Sequence, residues 1–205
     1  MVVIIEGAQG SGKTHLIRSL QERLSYENRD DIIFYKYQHV EHLKKLQINH
    51  IEPTEAFHYF TISNTLTMLE LQESIMKDKI LVYDRGIFSA YAWSILRNRM
   101  GKDNNVKLYR ELKEFLKLGL YRNCHVIRIK PIYSMERDHS DIFDKFNNST
   151  KENSIFDTVF EKNMKLVNDT GRNNSYTEIV NHMDKLSEAM LYRTFNEITS
   201  KNRNK

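Results

Sequence analysis

The stretch that decides the fold runs from residue 2 to residue 14 and reads VVIIEGAQGSGKT. Its first four residues are apolar and lead into glycines, which is typical of a buried parallel strand. Residues 7–14 match G-x-x-x-x-G-K-[ST] in full, and leucines and isoleucines follow at helical spacing: Leu16, Ile17, Leu20 and Leu24. A strand, a glycine-rich loop and a helix in this order indicate a phosphate-binding loop, the P-loop.

The P-loop predicts a nucleotide site. Its backbone N–H groups would turn toward phosphate oxygens, Lys13 would bridge the β- and γ-phosphates, and the Thr14 hydroxyl would ligate Mg²⁺. The predicted contacts of ATP with Mg²⁺ are Gly7, Gln9, Gly10, Ser11, Gly12, Lys13 and Thr14. An ordinary glycine turn that caps a helix is the alternative. It is disfavoured because the whole chain has only 7 Gly.

The rest of the chain alternates between short apolar runs and helical patterns. The runs predict strands over 32–35, 79–83, 125–129 (stopped by Pro131) and 177–180. The helical patterns cover 53–76, 87–97, 106–118, 154–168 and 186–198. This alternation predicts an α/β fold: a three-layer P-loop NTPase with a five-stranded parallel sheet flanked by helices and a short lid. Ligands of such sheets bind beyond the carboxyl ends of the strands.

Length and composition exclude several classes of protein. The 205 residues fit one domain, 1–205, with a lid at about 137–153 and a disordered tail at 200–205. The net charge of +4 gives no strong nucleic-acid signal. The single cysteine, Cys124, excludes an internal disulfide framework and suggests a reduced, cytoplasmic location. No apolar run approaches the roughly 20 residues of a membrane span.

A second informative site follows the predicted strand ILVYD. The strand ends in Asp84, where P-loop enzymes keep an acid that orients magnesium. Arg85 follows, and its guanidinium can bind a phosphate through two parallel hydrogen bonds. A plain ATPase has no obvious need for this arginine, whereas an enzyme that holds a second phosphorylated group beside the γ-phosphate does. We therefore predict Lys13, Asp84 and Arg85 to be catalytic, with Asp84 and Thr14 on the metal.

With EGxxGSGKT near the N-terminus, the segment AFHYFTISN…LVYDRGIFSAYAW resembles the thymidylate kinase family. That family reads approximately D-R-Y-x-x-S-x-x-A-Y-Q at the second site. The matching residues here are Asp84, Arg85, Ser89 and Ala92. Trp93 and Ser94 stand where Tyr and Gln are usual. The resemblance implies ATP-dependent phosphorylation of a deoxynucleoside monophosphate (dTMP or a related pyrimidine) to the diphosphate, by a homodimer joined through long helices.

The resemblance also implies an acceptor pocket, with departures from the family pattern. Lys36 stands where the family has an arginine that grips the monophosphate, and Phe60 is the candidate for stacking on the base. Asn64 replaces an arginine associated with base and phosphate recognition, and Gln9 replaces an aspartate that meets the sugar 3′-hydroxyl. These changes put thymine specificity in doubt. A solvated surface for Lys36 and core packing for Phe60 are the alternatives.

The predicted lid, 137–153, is polar, as a closing loop would be. Many members of the family carry catalytic arginines in the lid or the P-loop, and the P-loop here has none. Arg137 is therefore the predicted lid cation, with a salt bridge on a helix surface as the alternative.

Three other functions remain open from the sequence. Deoxynucleoside kinases share the EGxxGSGKT opening, although their strand typically ends Glu-Arg-Ser, and such an enzyme would use Asp84 as a general base. A P-loop switch protein is disfavoured by the absence of an NKxD motif, and a polynucleotide 5′-kinase by the modest charge. The many Asn and Lys residues are a compositional hint of an AT-rich, viral genome.

Overall fold

The computed structural model describes residues 1–8, 10–36, 79–86, 88–89, 124–131, 154, 158 and 175–203. These residues contain five strands: β1 (Val2–Glu6), β2 (Ile32–Lys36), β3 (Ile80–Asp84), β4 (Cys124–Pro131) and β5 (Ser175–Asn181). They also contain two complete helices, α1 (Lys13–Tyr26) and α2 (Lys185–Arg203). Residues 88–89, 154 and 158 are helical, as predicted. The helices predicted over 53–76 and 106–118 and the lid predicted at 137–153 lie outside the described residues.

The five strands form one parallel sheet in the order β2-β3-β1-β4-β5, which confirms the predicted fold class. The strand β1 lies at the centre, and its five residues are all buried. The register pairs Ile5 with Asp84 on one side and Glu6 with Arg128 on the other. The C-terminal ends of β1 and β3 therefore meet at one edge, where the P-loop and Arg85 leave the sheet.

One face of the sheet packs against α1 and α2. The core here joins apolar side chains of the strands, such as Val3, Ile5 and Ile127, with those of the two helices. All four apolar residues predicted to form the buried face of α1 are buried: Leu16, Ile17, Leu20 and Leu24. Each buried side chain of this size contributes about 1.5–3 kcal/mol relative to its exposed state, so this face fixes the position of α1 behind the P-loop.

The opposite face becomes polar toward the C-terminal ends of the strands. Arg128 is buried and pairs with Glu178 at 3.0 Å, and Lys130 Nζ lies 2.9 Å from the same carboxylate. Burial raises the pKa of Glu178, but the Tyr176 hydroxyl and these two cations lower it by more. This network ties β4 to β5 and lies two strands away from Arg85.

The predicted strand bounds differ from the structure by one or two residues, as in β5, which begins at Ser175 rather than at 177, and two differences have a clear physical reason. The strand β4 includes Pro131. Because β1 ends at Glu6, Pro131 pairs only with Asn181 of β5. No ladder hydrogen bond is required on the other side of the strand at this position, so a proline is tolerated. The helix α2 continues to Arg203, so residues 200–203 of the expected tail are helical. No Gly or Pro follows Asp184 to stop that helix. Neither described helix is long and apolar enough to span a membrane.

Candidate active site

The loop between β1 and α1 has the backbone of an anion site. Gly10 and Gly12 adopt positive φ values of 77° and 74°, which turn the chain sharply into the helix. Gly12 is the N-cap of α1, and no side-chain hydrogen bond caps the helix there. The N–H groups of the first turn and the positive end of the helix dipole therefore face the loop rather than a cap, which favours an anion.

The end of β5 and the residues that follow it hold this loop in place. Asn181 is buried, and its Nδ2 donates to Ser11 O at 2.7 Å while its Oδ1 accepts from Met183 N at 2.8 Å. A Cβ on Gly12 would lie only 2.3 Å from Asn181 Nδ2 and 2.5 Å from Met183 Sδ. Gly12 is therefore required both by its φ and by the close approach of the β5–α2 segment.

Lys13 and Asp84 form an ion pair at the mouth of the loop. The Lys13 ammonium donates to Asp84 Oδ1, with side chains only 4% and 14% exposed. Thr14, the next residue, is exposed. The P-loop lysine and the acid at the end of β3 thus lie in contact, although the two residues are 71 positions apart in the sequence.

Arg85 contacts the P-loop directly. Its Nη1 donates to Gly7 O at 3.1 Å and lies 3.4 Å from Ser89 Oγ, and its backbone N donates to Ile5 O at 3.0 Å. Arg85 has a φ of 74°, a left-handed conformation that is uncommon for a residue with a side chain. A second cationic group therefore lies at the rim of the loop, beside Lys13.

Glu6, which the sequence analysis did not assign, lies beneath these groups. It is fully buried, and its carboxylate accepts hydrogen bonds from Gly86 N at 2.9 Å, from Ser89 N at 3.2 Å and from the Ser89 hydroxyl. Burial raises the pKa of Glu6, while the Ser89 hydrogen bonds and the charges of Arg85 and Lys13 oppose the rise. An acid at the end of an otherwise apolar strand was the signal available in the sequence.

Most of the predicted site residues come together at this edge of the sheet: Gly7, Gly10, Ser11, Gly12, Lys13, Thr14, Asp84, Arg85 and Ser89. Lys36 ends β2 in register with Asp84, so its backbone is placed beside the site. Gln9, Phe60, Asn64 and Arg137 lie outside the described residues. Their predicted roles in binding the donor, the acceptor and the transferring phosphoryl group stay predictions.

The donor set fits a phosphate chain with a hard divalent cation. The Ser11 hydroxyl is buried without a hydrogen-bond partner among the described residues, so a polar atom in the loop is left for a ligand or water. The Thr14 hydroxyl and the Asp84 carboxylate are oxygen donors, the kind that Mg²⁺ takes. The loop, its helix N-terminus and Lys13 thus form a phosphate cradle with an oxygen-lined edge.

Comparisons with known proteins support the fold. No family model matches the sequence, and neither does any curated protein. Among solved structures, the chain is similar to a thymidylate kinase from Candida albicans, at 14% identity and a TM-score of 0.62 over 99% of this chain and 92% of that one. It is also similar to a thymidylate kinase from Ehrlichia chaffeensis, at 17% identity and a TM-score of 0.60 over 96% and 98%. The resemblance seen in the sequence is therefore confirmed at the level of the fold.

Proposed function

We propose, on the premise of a thymidylate kinase-like fold, that the chain transfers the γ-phosphoryl group of ATP to a deoxynucleoside monophosphate. One observation carries the proposal: the Arg85 guanidinium donates to Gly7 O, at the rim of the P-loop. A guanidinium in this place can bind the phosphate of a second substrate while the loop holds the first. A protein that only binds or hydrolyses ATP has no second phosphorylated substrate for such a cation to bind.

The residues of the candidate active site then have the following roles. The P-loop and Lys13 bind the β- and γ-phosphates, while Thr14 and Asp84 would hold Mg²⁺. Bound Mg²⁺ would neutralise charge on the phosphate oxygens. In the described chain Asp84 is paired with Lys13, so nucleotide binding has to redistribute that pair between the phosphates and the metal. The pair keeps both charges satisfied in the closely packed site before the nucleotide arrives.

The transfer itself asks for positioning and charge neutralisation. An oxygen of the acceptor phosphate attacks the γ-phosphorus, the bond from that phosphorus to the β–γ bridging oxygen breaks, and ADP leaves with the electron pair. The acceptor phosphate is already ionised, so no general base is required. Arg85 contacts Gly7 of the P-loop and Ser89. By binding the acceptor phosphate from this position, its guanidinium would keep that phosphate at a fixed distance from the γ-phosphate in the loop.

The finer features of the proposal come from the resemblance alone. They are a pyrimidine acceptor such as dTMP, acceptor contacts from Lys36, Phe60 and Asn64, a lid cation at Arg137, and a homodimer. None of these side chains lies among those that the structure describes, so each is a proposal for mutagenesis after the acceptor has been identified.

The experiment is a substrate panel. Purified protein is incubated with Mg²⁺ and ATP together with deoxynucleosides, deoxynucleoside monophosphates or a 5′-hydroxyl oligonucleotide, and both ADP and the phosphorylated product are measured. We expect one or more monophosphates to be converted to diphosphates. The matched control is Arg193→Ala, because Arg193 is a highly exposed arginine of α2.

We expect Lys13→Ala to lower kcat by about 100-fold or more, since it removes a donor that neutralises charge in the transfer. Arg85→Ala should raise the KM of the monophosphate by at least about 10-fold, because it removes a charge-assisted phosphate contact, while Arg193→Ala leaves both constants unchanged. Turnover of deoxynucleosides alone would instead make Asp84 a general base. ADP release with no phosphorylated acceptor would refute the kinase proposal.

A further inference from the structure

We propose that Glu6 is a positioning residue for the acceptor phosphate, because its buried carboxylate fixes the backbone at Gly86 and Ser89 and thereby holds the Arg85 guanidinium against the P-loop. The link from Glu6 to Arg85 stands on the described contacts. Its consequence for the acceptor rests on the proposed function.

Three hydrogen-bond donors, which belong to Gly86 and Ser89, converge on the Glu6 carboxylate. Oε1 accepts from Gly86 N at 2.9 Å and from Ser89 N at 3.2 Å, and Oε2 accepts from the Ser89 hydroxyl. On the other side of Arg85, its own backbone N donates to Ile5 O at 3.0 Å. The backbone is therefore anchored to β1 immediately before and immediately after the Arg85 side chain.

These anchors explain how Arg85 keeps a φ of 74°. A residue with a Cβ adopts this conformation only where the surroundings over-determine it. Relaxing that φ would swing the side chain away from Gly7, because the direction of Cβ changes with the backbone. Glu6 thus acts on the arginine through the backbone of Gly86 and Ser89.

Ser89 joins the two groups through its side chain. Its hydroxyl donates to Glu6 Oε2, and its oxygen lies 3.4 Å from Arg85 Nη1. An uncharged amide of the same size would still fill the space. It would, however, accept more weakly from the two backbone N–H groups and would no longer orient the Ser89 hydroxyl.

The kinetic test separates positioning from packing. Glu6→Gln keeps the size of the side chain and removes its charge. We expect it to raise the KM of dTMP, or of the best acceptor in the panel, by about 10-fold or more and to leave the KM of ATP within about 2-fold. The double variant Glu6→Gln/Arg85→Lys should be no worse for the acceptor than Arg85→Lys alone, since the two residues act through one contact.

Glu178→Gln is the matched control. Glu178 is also a hydrogen-bonded glutamate on the same face of the sheet, but its contacts include Arg128 and Lys130 rather than Gly86 and Ser89. We expect Glu178→Gln to leave the acceptor KM within about 2-fold even where it lowers stability, because the hydrogen bonds that it weakens lie on β4 and β5 and not at Gly86 or Ser89. Equal rises in the acceptor and ATP KM for Glu6→Gln, or additive effects in the double variant, would overturn the proposal.

A second readout needs no turnover. In protein labelled with ¹⁵N-arginine, the Arg85 side-chain NMR signal is assigned by its loss in Arg85→Lys, and we expect it to shift and broaden in Glu6→Gln. An unchanged Arg85 signal overturns the positioning role whatever the enzyme does. If the wild type phosphorylates no monophosphate, the proposed function fails while this signal still decides the link. Ser89→Ala keeps the buried carboxylate, so it tests the same link by the same signal if Glu6→Gln does not fold.

Discussion

Replacing Gly12 by alanine is the sharpest test of how the P-loop is held. An alanine at a φ of 74° costs about 1–2 kcal/mol in backbone conformation. Its Cβ would also lie 2.3 Å from Asn181 Nδ2, so the amide has to leave Ser11 O, at a cost of about 1 kcal/mol for the lost hydrogen bond. We expect the free energy of unfolding to fall by about 2–3 kcal/mol and Tm by about 5–10 °C.

The assay is urea unfolding of wild type, Gly12→Ala, Asn181→Ala and the double variant. When Asn181 is already alanine, only the backbone cost and the contact with Met183 remain, so Gly12→Ala should cost about 1 kcal/mol less than in the wild type. Additive losses in the double variant would refute the close contact. A loss below about 0.5 kcal/mol for Gly12→Ala alone would refute the left-handed conformation as well.

Two further outcomes concern charged groups at the ends of the elements. Asp84→Asn removes the charge of an ion-pair partner of the nearly buried Lys13 ammonium. We therefore expect the free energy of unfolding to fall by about 3 kcal/mol in urea titration, and an unchanged midpoint would contradict the pair. The Ser187 backbone and hydroxyl donors lower the pKa of Asp184 below its usual 3.8. The contribution of the ionised Asp184 carboxylate to the free energy of unfolding is therefore fully present above pH 3.8 and is lost as the pH falls through the lowered pKa. The difference in urea midpoint between wild type and Asp184→Ala should shrink on acidification from about pH 6 to about pH 2.5. A difference independent of pH would contradict the stabilising role of the hydrogen bonds between Ser187 and Asp184.

The predictions that the structure confirms are those that depend on local sequence. The strand, glycines and apolar helix spacing around residues 2–24 are contiguous, so their pattern determines β1, the loop and α1. Asp84 and Arg85 also stand at the end of an apolar strand, and the structure places both at the P-loop, while their catalytic roles stay predictions. The order of the strands was not predicted, since it depends on which strands pair across long stretches of chain.

The residues that sequence analysis missed act through distant partners. Glu6 was passed over as the end of a strand, because its donors Gly86 and Ser89 follow about 80 positions later. The Asn181 side chain accepts a hydrogen bond from Met183 N and donates one to Ser11 O, which lies 170 positions earlier in the sequence. A polar residue at the end of an apolar strand indicates a polar site there, but it does not show which distant residues it contacts.

The contact between Ser11 and Asn181 also has a consequence for biosynthesis. The P-loop precedes most of the sheet in the sequence, whereas the amide that braces it belongs to Asn181, the last residue of β5. A nascent chain that stops before residue 181 therefore carries the whole nucleotide motif without its brace. Competence to bind the donor should appear late in translation, together with the last strand of the sheet rather than with the first.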